Sequence, residues 1–387
     1  MSRPAWSYVA GSAGQQRTDR ANRAAFDRWK IVPRMLRDIS VRDMRVELFG
    51  RSLPAPLLLA PIGALGMVRA DADLAAARAA RSLGIPMIIS TQASSPMEAI
   101  ADALGDAPRW FQLYWSANDE LVESFVRRAE TIGSGAIVVT LDTQMLGWRT
   151  ADLDIGSLPF VRGQGIAQYT SDPVFTRLVE ERVATPRTTT EPRPRPSPGA
   201  VRTLASLARA HPGGFLRNLR SPLPRAAVET FLEVFSRPSL RWADLAWLRD
   251  RTELPIVLKG IVDVGDARRA VDHGVDGIIV SNHGGRQVDG GIGALTVLPE
   301  IVEVVGGRIP VLFDSGIRGG ADAFKALALG ARAVCIGRPW AYGLAVDGAD
   351  GVAAVMGYLM AELDITMALT GCTTLAEIDR DLLRPDA

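Results

Sequence analysis

The stretch IPVLFDSGIRGGADAFKALALGARAVCIGRP, residues 309–339, reads as strand, helix and strand in immediate succession. Its first apolar run breaks at Asp314-Ser-Gly, and the Ala/Leu-rich stretch 321–329 stops at Gly330, where a helix C-terminus favours glycine. RAVCIG (332–337) is a second short apolar run. Continuous apolar runs bounded by Gly, Pro or polar residues, alternating with helical patterns, mark buried parallel strands. Working outward, the same signal recurs in GIIVSN (277–282), PIVLKG (255–260), AIVVTLD (136–142), RWFQLY (109–114), PMIIST (86–91) and PLLLAP (56–61). Helical patterns fall at 71–83, at 118–132 with acids in its first turn, and at 263–273 ahead of Gly274.

Eight strand–helix units predict an α/β fold, a (β/α)8 TIM barrel. The reading is one domain over 1–387, with barrel strands at about 56–142 and 255–337 and a lid insertion of about 150–240 between strands 4 and 5. The competing doubly wound open sheet lacks a G-x-G-x-x-G after its first strand.

Composition narrows the function classes. The 387 residues carry 44 basic and 43 acidic side chains, so the basic excess of a nucleic-acid binder is absent. The longest apolar candidate, 57–68, is short of the roughly 20 residues a membrane span needs and is broken by Pro61, Gly63 and Gly66. The opening MSRPAWSYVAG has no apolar run of a secretory signal. Two cysteines, Cys335 and Cys372, make no disulfide framework and no metal site, and a reduced cytoplasmic setting is expected.

In a barrel of this type the reactive groups belong at the C-terminal strand ends. Strand 2 ends in Ser90, strand 3 in Gln112 and Tyr114, strand 4 in Thr140, strand 5 in Lys259. Strand 6 ends in Ser281-Asn-His283-Gly-Gly-Arg286, strand 7 in Asp314-Ser315-Gly316-Ile-Arg318, and strand 8 in Gly337-Arg338. Packing alone does not explain polar groups in register on seven strands. The glycine-rich loops DSGIRGG and IGRP, after strands 7 and 8, stand where barrels hold a phosphate; tight turns with surface arginines are the plain alternative. His283 is placed to act as a base or to be structural, whereas His273 suits a helix C-terminus and His211 has no catalytic context. Arg149 and Arg286 are forked donors suited to a carboxylate, or two of many surface arginines. Lys259, one of only three lysines, is open to two roles: Schiff-base nucleophile, or fixed positive charge beside an anion.

These motifs resemble the FMN-dependent α-hydroxy-acid oxidases and dehydrogenases. The resemblance is carried by SNHGGRQ (281–287), LKG (258–260), DSGIRGGADAFKALALGA (314–331), IGRP, FQLY (111–114) and LDT…GWR (141–149), and it spans nearly the whole chain. Within the family the chain is most similar to the lactate 2-monooxygenases, through SYVAG, IVPRML, APIG (60–63), DSGIR and LPFVRG…YTSDPVF (158–175). The resemblance implies FMN as cofactor, a small 2-hydroxy acid and O2 as reactants, and a homotetramer. It makes His283 the base at the substrate α-carbon. Arg149, Arg286 and Tyr8 would hold the carboxylate, and Tyr114 would contact substrate and flavin. Ser90, Gln112 and Thr140 would bond the isoalloxazine ring, with Pro61, Ile62, Gly63 and Ser281 beside it. Lys259 would face the N1–C2 edge, and Asp314, Ser315, Gly316, Arg318, Gly337 and Arg338 would hold the ribityl phosphate. Gly63 stands where oxidases usually carry alanine and lactate monooxygenase carries glycine, which implies oxidative decarboxylation of lactate to acetate.

Three departures from the family pattern stand out. Tyr8 follows only seven residues where a helix usually precedes the tyrosine, implying a differently covered entrance. Gln92 replaces an apolar or aromatic pocket residue, implying a substrate other than plain lactate. The segment 141–254 is long, and 176–225 holds ten arginines against Glu180, Glu181 and Glu191, with five prolines from Pro186 to Pro198. The run 186–198 reads as a disordered or polyproline-like linker, and the segment as a mobile surface insertion or as a cationic lid recruiting an anionic or larger substrate.

Overall fold

The computed structural model describes residues 1–185 and 197–386. Its centre is a closed barrel of eight parallel strands. In chain order these are β1 (Leu57–Leu59), β2 (Met87–Ser90), β3 (Arg109–Leu113), β4 (Ile137–Thr140), β5 (Ile256–Ile261), β6 (Gly277–Val280), β7 (Val311–Phe313) and β8 (Ala333–Ile336). Each pairs with its sequence neighbour, and β8 closes on β1 through Val334–Leu57, Cys335–Leu58 and Ile336–Leu59.

Because side chains alternate at a period of two, each strand faces two cores at once. Leu58, Ile88, Trp110, Val138, Val257, Ile279, Leu312, Ala333 and Cys335 pack together as one buried cluster inside the barrel. Their neighbours Leu57, Leu59, Met87, Ile89, Phe111, Val139, Leu258 and Ile278 pack outward, in the cluster shared with the helices. Burial on both faces is why the strands read as unbroken apolar runs.

The helices follow the capping rules. Asn118 accepts from the Leu121 N–H at 2.9 Å to start Asp119–Thr131, and Asp263 caps Val264–Asp272 in the same way. A helix at Met97–Leu104 and another at Ala294–Val305 complete units that periodicity alone left blank. The final helix, Arg338–Leu369, is long and apolar enough to cross a membrane, a stretch the search for continuous apolar runs passed over. It is interrupted at Asp347–Gly348, carries Asp350, Glu362 and Asp364, and packs on the helices Ala72–Leu83 and Gly320–Ala328.

Tyr8 sits inside a helix of its own, Arg3–Ala10, started by the Ser2 hydroxyl, rather than after one. The lid lies between β4 and β5. Its described part is helical, with Pro173–Ala184, Pro198–Ala210 and Leu223–Val234 as the longest pieces. Tyr169 is fully buried and meets Phe125 of the barrel helix at 5.1 Å, Phe175 at 5.4 Å and Phe231 at 4.9 Å between ring centres. Several lid arginines are spent on carboxylates, Arg177 on Glu120, Arg182 on Glu233 and Arg225 on Glu229. The described lid is thus docked by an aromatic core. Residues 186–196, most of the proline-rich run, lie outside the described residues.

Asp73, buried at the start of its helix, accepts from the Ser94 N–H at 2.8 Å and so ties the loop after β2 to the scaffold. Burial raises its pKa to about 6. A raised carboxyl pKa adds stability below the unfolded value near 3.8, and that stability is lost as pH rises through about 6. Compared with Asp73→Asn, the wild type should therefore lose ground between pH 4 and pH 6, by about 2–3 kcal/mol at most. Thermal midpoints of both proteins across that range measure it; parallel curves refute it.

Candidate active site

Two residues beyond the apolar interior layer, the same inward register on the strands brings Ser90, Gln112, Thr140, Lys259, Ser281 and Asp314 to one ring. All six are buried. Above them opens a cavity with about 1040 Å³ of empty space, open solvent included. Its lining contains Tyr8, Pro61, Ile62, Gly63, Tyr114, Arg149, Lys259, His283, Arg286, Asp314, Ser315, Gly316, Arg318, Gly337 and Arg338. Ser90, Gln112, Thr140 and Ser281 adjoin it without lining it.

The ring is wired internally. Lys259 Nζ donates to Ser281 Oγ at 2.9 Å and pairs with Asp314 at 3.1 Å. Burial works against the ammonium, but Asp314 and Asp142 outweigh it and raise the Lys259 pKa above its ordinary value. A buried lysine paired with Asp314 and bonded to Ser281 fits a fixed positive charge better than a Schiff-base nucleophile. Ser281 Oγ also accepts from the His283 N–H at 3.1 Å. His283 has a left-handed backbone (φ 58°), as does Ser315 (φ 84°), and such conformations cost about 1–3 kcal/mol each when a fold imposes them at a site.

His283 Nδ1 lies 2.8 Å from a carboxylate oxygen of Asp142. Burial opposes the Asp142 charge, yet His283 and Lys259 prevail and its pKa is lowered. The ionised carboxylate holds the imidazole proton on Nδ1 and leaves the Nε2 lone pair free. For His283 burial is the largest influence and lowers the pKa below 6.5; Asp142 pulls the other way. The ring is therefore neutral, and able to accept a proton, at neutral pH. Burial pushes the Tyr114 hydroxyl up to about 12, so it remains a donor.

The cations divide into two kinds. Arg338 spends its guanidinium on the carbonyls of Val9, Gly11 and Gly284, on the Ser12 hydroxyl and on Asp19. These contacts tie it to the N-terminal segment while it still lines the cavity beside Gly337. Arg286 donates to the Tyr8 and Gly11 carbonyls at 2.6 and 2.7 Å and lies over the Tyr8 ring. Burial, then Arg149, push its pKa down to about 9. Arg149 bonds only Gln287 Oε1 and the Arg286 carbonyl, and Arg318 only the Ile317 carbonyl. Among the described residues, Arg149, Arg286 and Arg318 have no carboxylate at ion-pair distance. Three cations facing one cavity call for anions from outside the chain.

A flavin mononucleotide meets these needs. Gln112 Nε2 and Thr140 Oγ1 are buried with no hydrogen-bond partner, as suits the polar edge of a heteroaromatic ring. A Cβ at Gly337 would project into open space, and Arg318 supplies the charge a phosphate requires. Asp314, by contrast, is a carboxylate bonded to Lys259 and Ser315 Oγ, so it suits a ribityl hydroxyl better than the phosphate itself.

A profile of the FMN-dependent dehydrogenase family matches residues 1–385. The chain belongs to this family. An L-lactate oxidase of Lysinibacillus sphaericus is 44% identical over 96% of this chain and 86% of its own length. An FMN-dependent alpha-hydroxy acid dehydrogenase of Penicillium citrinum is 41% identical over 99% and 87%. A solved mandelate oxidase variant carrying an FMN adduct superposes with a TM-score of 0.77 at 34% identity, covering 99% of this chain and 95% of that one. The protein is an FMN-dependent oxidoreductase acting on 2-hydroxy acids.

Sequence reading missed Asp142, the partner of His283 141 residues away, although it stands two positions beyond Thr140. It also missed Gln287, which donates to the Asp142 and Met145 carbonyls and accepts from Arg149. Neither histidine outside the site is drawn in: His273 Nδ1 meets the Arg269 carbonyl and His211 Nδ1 the Pro212 carbonyl.

With His283 as base, the rate of anaerobic flavin bleaching by substrate should be flat at neutral pH and fall along an acidic limb below pH 6.5. Asp142→Asn removes an influence that raises the His283 pKa, so the limb should move lower while the plateau drops about 10²–10³-fold. Stopped-flow pH profiles of both proteins decide; an unmoved limb rejects the pairing.

Proposed function

We propose that the protein oxidises an L-2-hydroxy acid with O2 as acceptor, releasing the 2-keto acid and hydrogen peroxide. The reading rests above all on the unpaired Arg149 and Arg286 facing the His283–Asp142 pair across one cavity. The two guanidiniums bind and orient the carboxylate, with Tyr8 packed against Arg286. His283 Nε2 takes the proton released as the α-carbon is oxidised, and Asp142 offsets the charge the ring gains. Tyr114 offers its hydroxyl proton to the substrate oxygen. Bound FMN supplies the two-electron acceptor, and Lys259 sets a positive charge where negative charge accumulates.

The monooxygenase outcome implied by Gly63 loses weight in this reading. A Cβ at position 63 would stand 2.7 Å from the Gln92 Cβ and 3.0 Å from its carbonyl oxygen. Packing against Gln92 thus accounts for the glycine whatever the product's fate. Lactate incubated aerobically with the holoenzyme should yield pyruvate and hydrogen peroxide in equal amounts; acetate without peroxide would restore the monooxygenase, and slow reoxidation by air would indicate another acceptor.

Arg149→Met should raise the half-saturating substrate concentration about 10²-fold while FMN stays bound. Arg286→Met is a poorer test because Arg286 also pins the Tyr8 and Gly11 carbonyls. Unchanged saturation in Arg149→Met would remove it from the carboxylate site.

We further propose a cytoplasmic homotetramer. Both cysteines are free and buried, and Val346, Tyr358, Ile365 and Leu369 expose an apolar side of the last helix. Light scattering should give four times the chain mass; a monomer refutes this.

A further inference from the structure

Gln92 follows β2 and is only 6% exposed. Its backbone is fixed at both ends: the N–H donates to Ser90 Oγ at 3.1 Å, and the carbonyl accepts from the Ala64 N–H at 2.8 Å. Asp73 holds the same loop two residues further on, through Ser94. The side chain lines the cavity that contains Tyr114, Arg149 and His283, and its amide makes no hydrogen bond with any described residue. The amide leans toward Gly63, where an added Cβ would lie 3.4 Å from Oε1 and collide with the Gln92 Cβ. From the lid, Gly165 closes the other side: a Cβ there would stand 2.9 Å from both the Gln92 carbonyl and the Ala64 Cβ. The loop is therefore gripped between two glycines and presents an amide with a free donor and a free acceptor to the substrate space.

An amide that lines the cavity with neither its donor nor its acceptor bonded within the described residues is available to a ligand group that can pair with it. The surrounding charges limit what the group can be. Arg149 and Arg286 beside the same space disfavour an ammonium there, and a second carboxylate competes with the first for the two guanidiniums. Leu146 and Phe235 add apolar wall to the same cavity. We infer that Gln92 selects 2-hydroxy acids whose side chain carries an uncharged hydrogen-bonding group, a hydroxyl or carboxamide, over the apolar isosteres. This rests on the proposed 2-hydroxy-acid oxidation and names its substrate class.

Two isosteric pairs test it: L-glycerate against L-2-hydroxybutanoate, and L-2,4-dihydroxybutanoate against L-2-hydroxypentanoate. Anaerobic rapid mixing with the FMN-loaded enzyme separates the saturation constant from the limiting bleaching rate. In at least one pair the polar member should be favoured tenfold or more, chiefly in saturation. Gln92→Leu should erase that preference, and the near-isosteric Gln92→Met should do the same if the leucine variant does not fold. Equal use of both members by the wild type, or a preference that survives both substitutions, overturns the inference and leaves the oxidation reading intact. Failure of all four acids, and of lactate, to bleach the flavin overturns both.

Discussion

The site depends on the two-residue pleat of a closed parallel barrel. Closure fixes the register of all eight strands, and the pleat then sends every second side chain inward. Up to Ile88, Trp110, Val138, Val257, Ile279 and Leu312, those positions are apolar and fill the barrel. One step further they are Ser90, Gln112, Thr140, Lys259, Ser281 and Asp314. A register slip of one residue on any strand would push its polar group among the outer helices and bring an apolar residue into the ring. The apolar plug below thus fixes where the chemistry above it stands.

Electrostatics then divides the ring from the mouth. Lys259 is compensated within the chain by Asp314, and Asp142 lies close enough to be influenced by it, so the floor of the site is charged yet stable. At the mouth, Arg149, Arg286 and Arg318 have no carboxylate at ion-pair distance among the described residues, and burial, with Arg149 beside it, pushes the Arg286 pKa down to about 9. A fold that buries positive charge without an internal counterion is more stable with a dianionic phosphate and a carboxylate bound. Cofactor and substrate therefore complete the charge balance that the barrel leaves open. The cost is visible in the backbone too, where His283 and Ser315 are held in left-handed conformations beside the same cavity.

The sequence makes the strand ends legible because each lies within a few residues of its apolar run, so local pattern is sufficient. It fails where a partner arrives from far along the chain. Asp142 looks like a loop residue until β4 and β6 are brought across the barrel mouth to each other. Nor does local pattern show that Arg338 ties the loop after β8 to the Val9 and Gly11 carbonyls at the end of the helix Arg3–Ala10. The docking of the lid is hidden for a different reason: charge and proline content are local signals, whereas Tyr169 and its ring of phenylalanines are scattered from 125 to 231.

The same long-range coupling changes what Gly63 means. Taken alone, a glycine beside the flavin invites an argument about room for oxygen and product. In place it is one face of a grip on Gln92 whose other face, Gly165, belongs to the lid, and lid residue Ala167 donates to the Ala93 carbonyl at 3.2 Å. Alanine at 63 would press on the Gln92 Cβ and carbonyl, and so on the loop that Asp73 and the lid both hold. Substrate wall, lid contact and flavin-side glycine are thus one packed unit. A substitution at any of the three therefore presses on the Gln92 loop and through it on the other two.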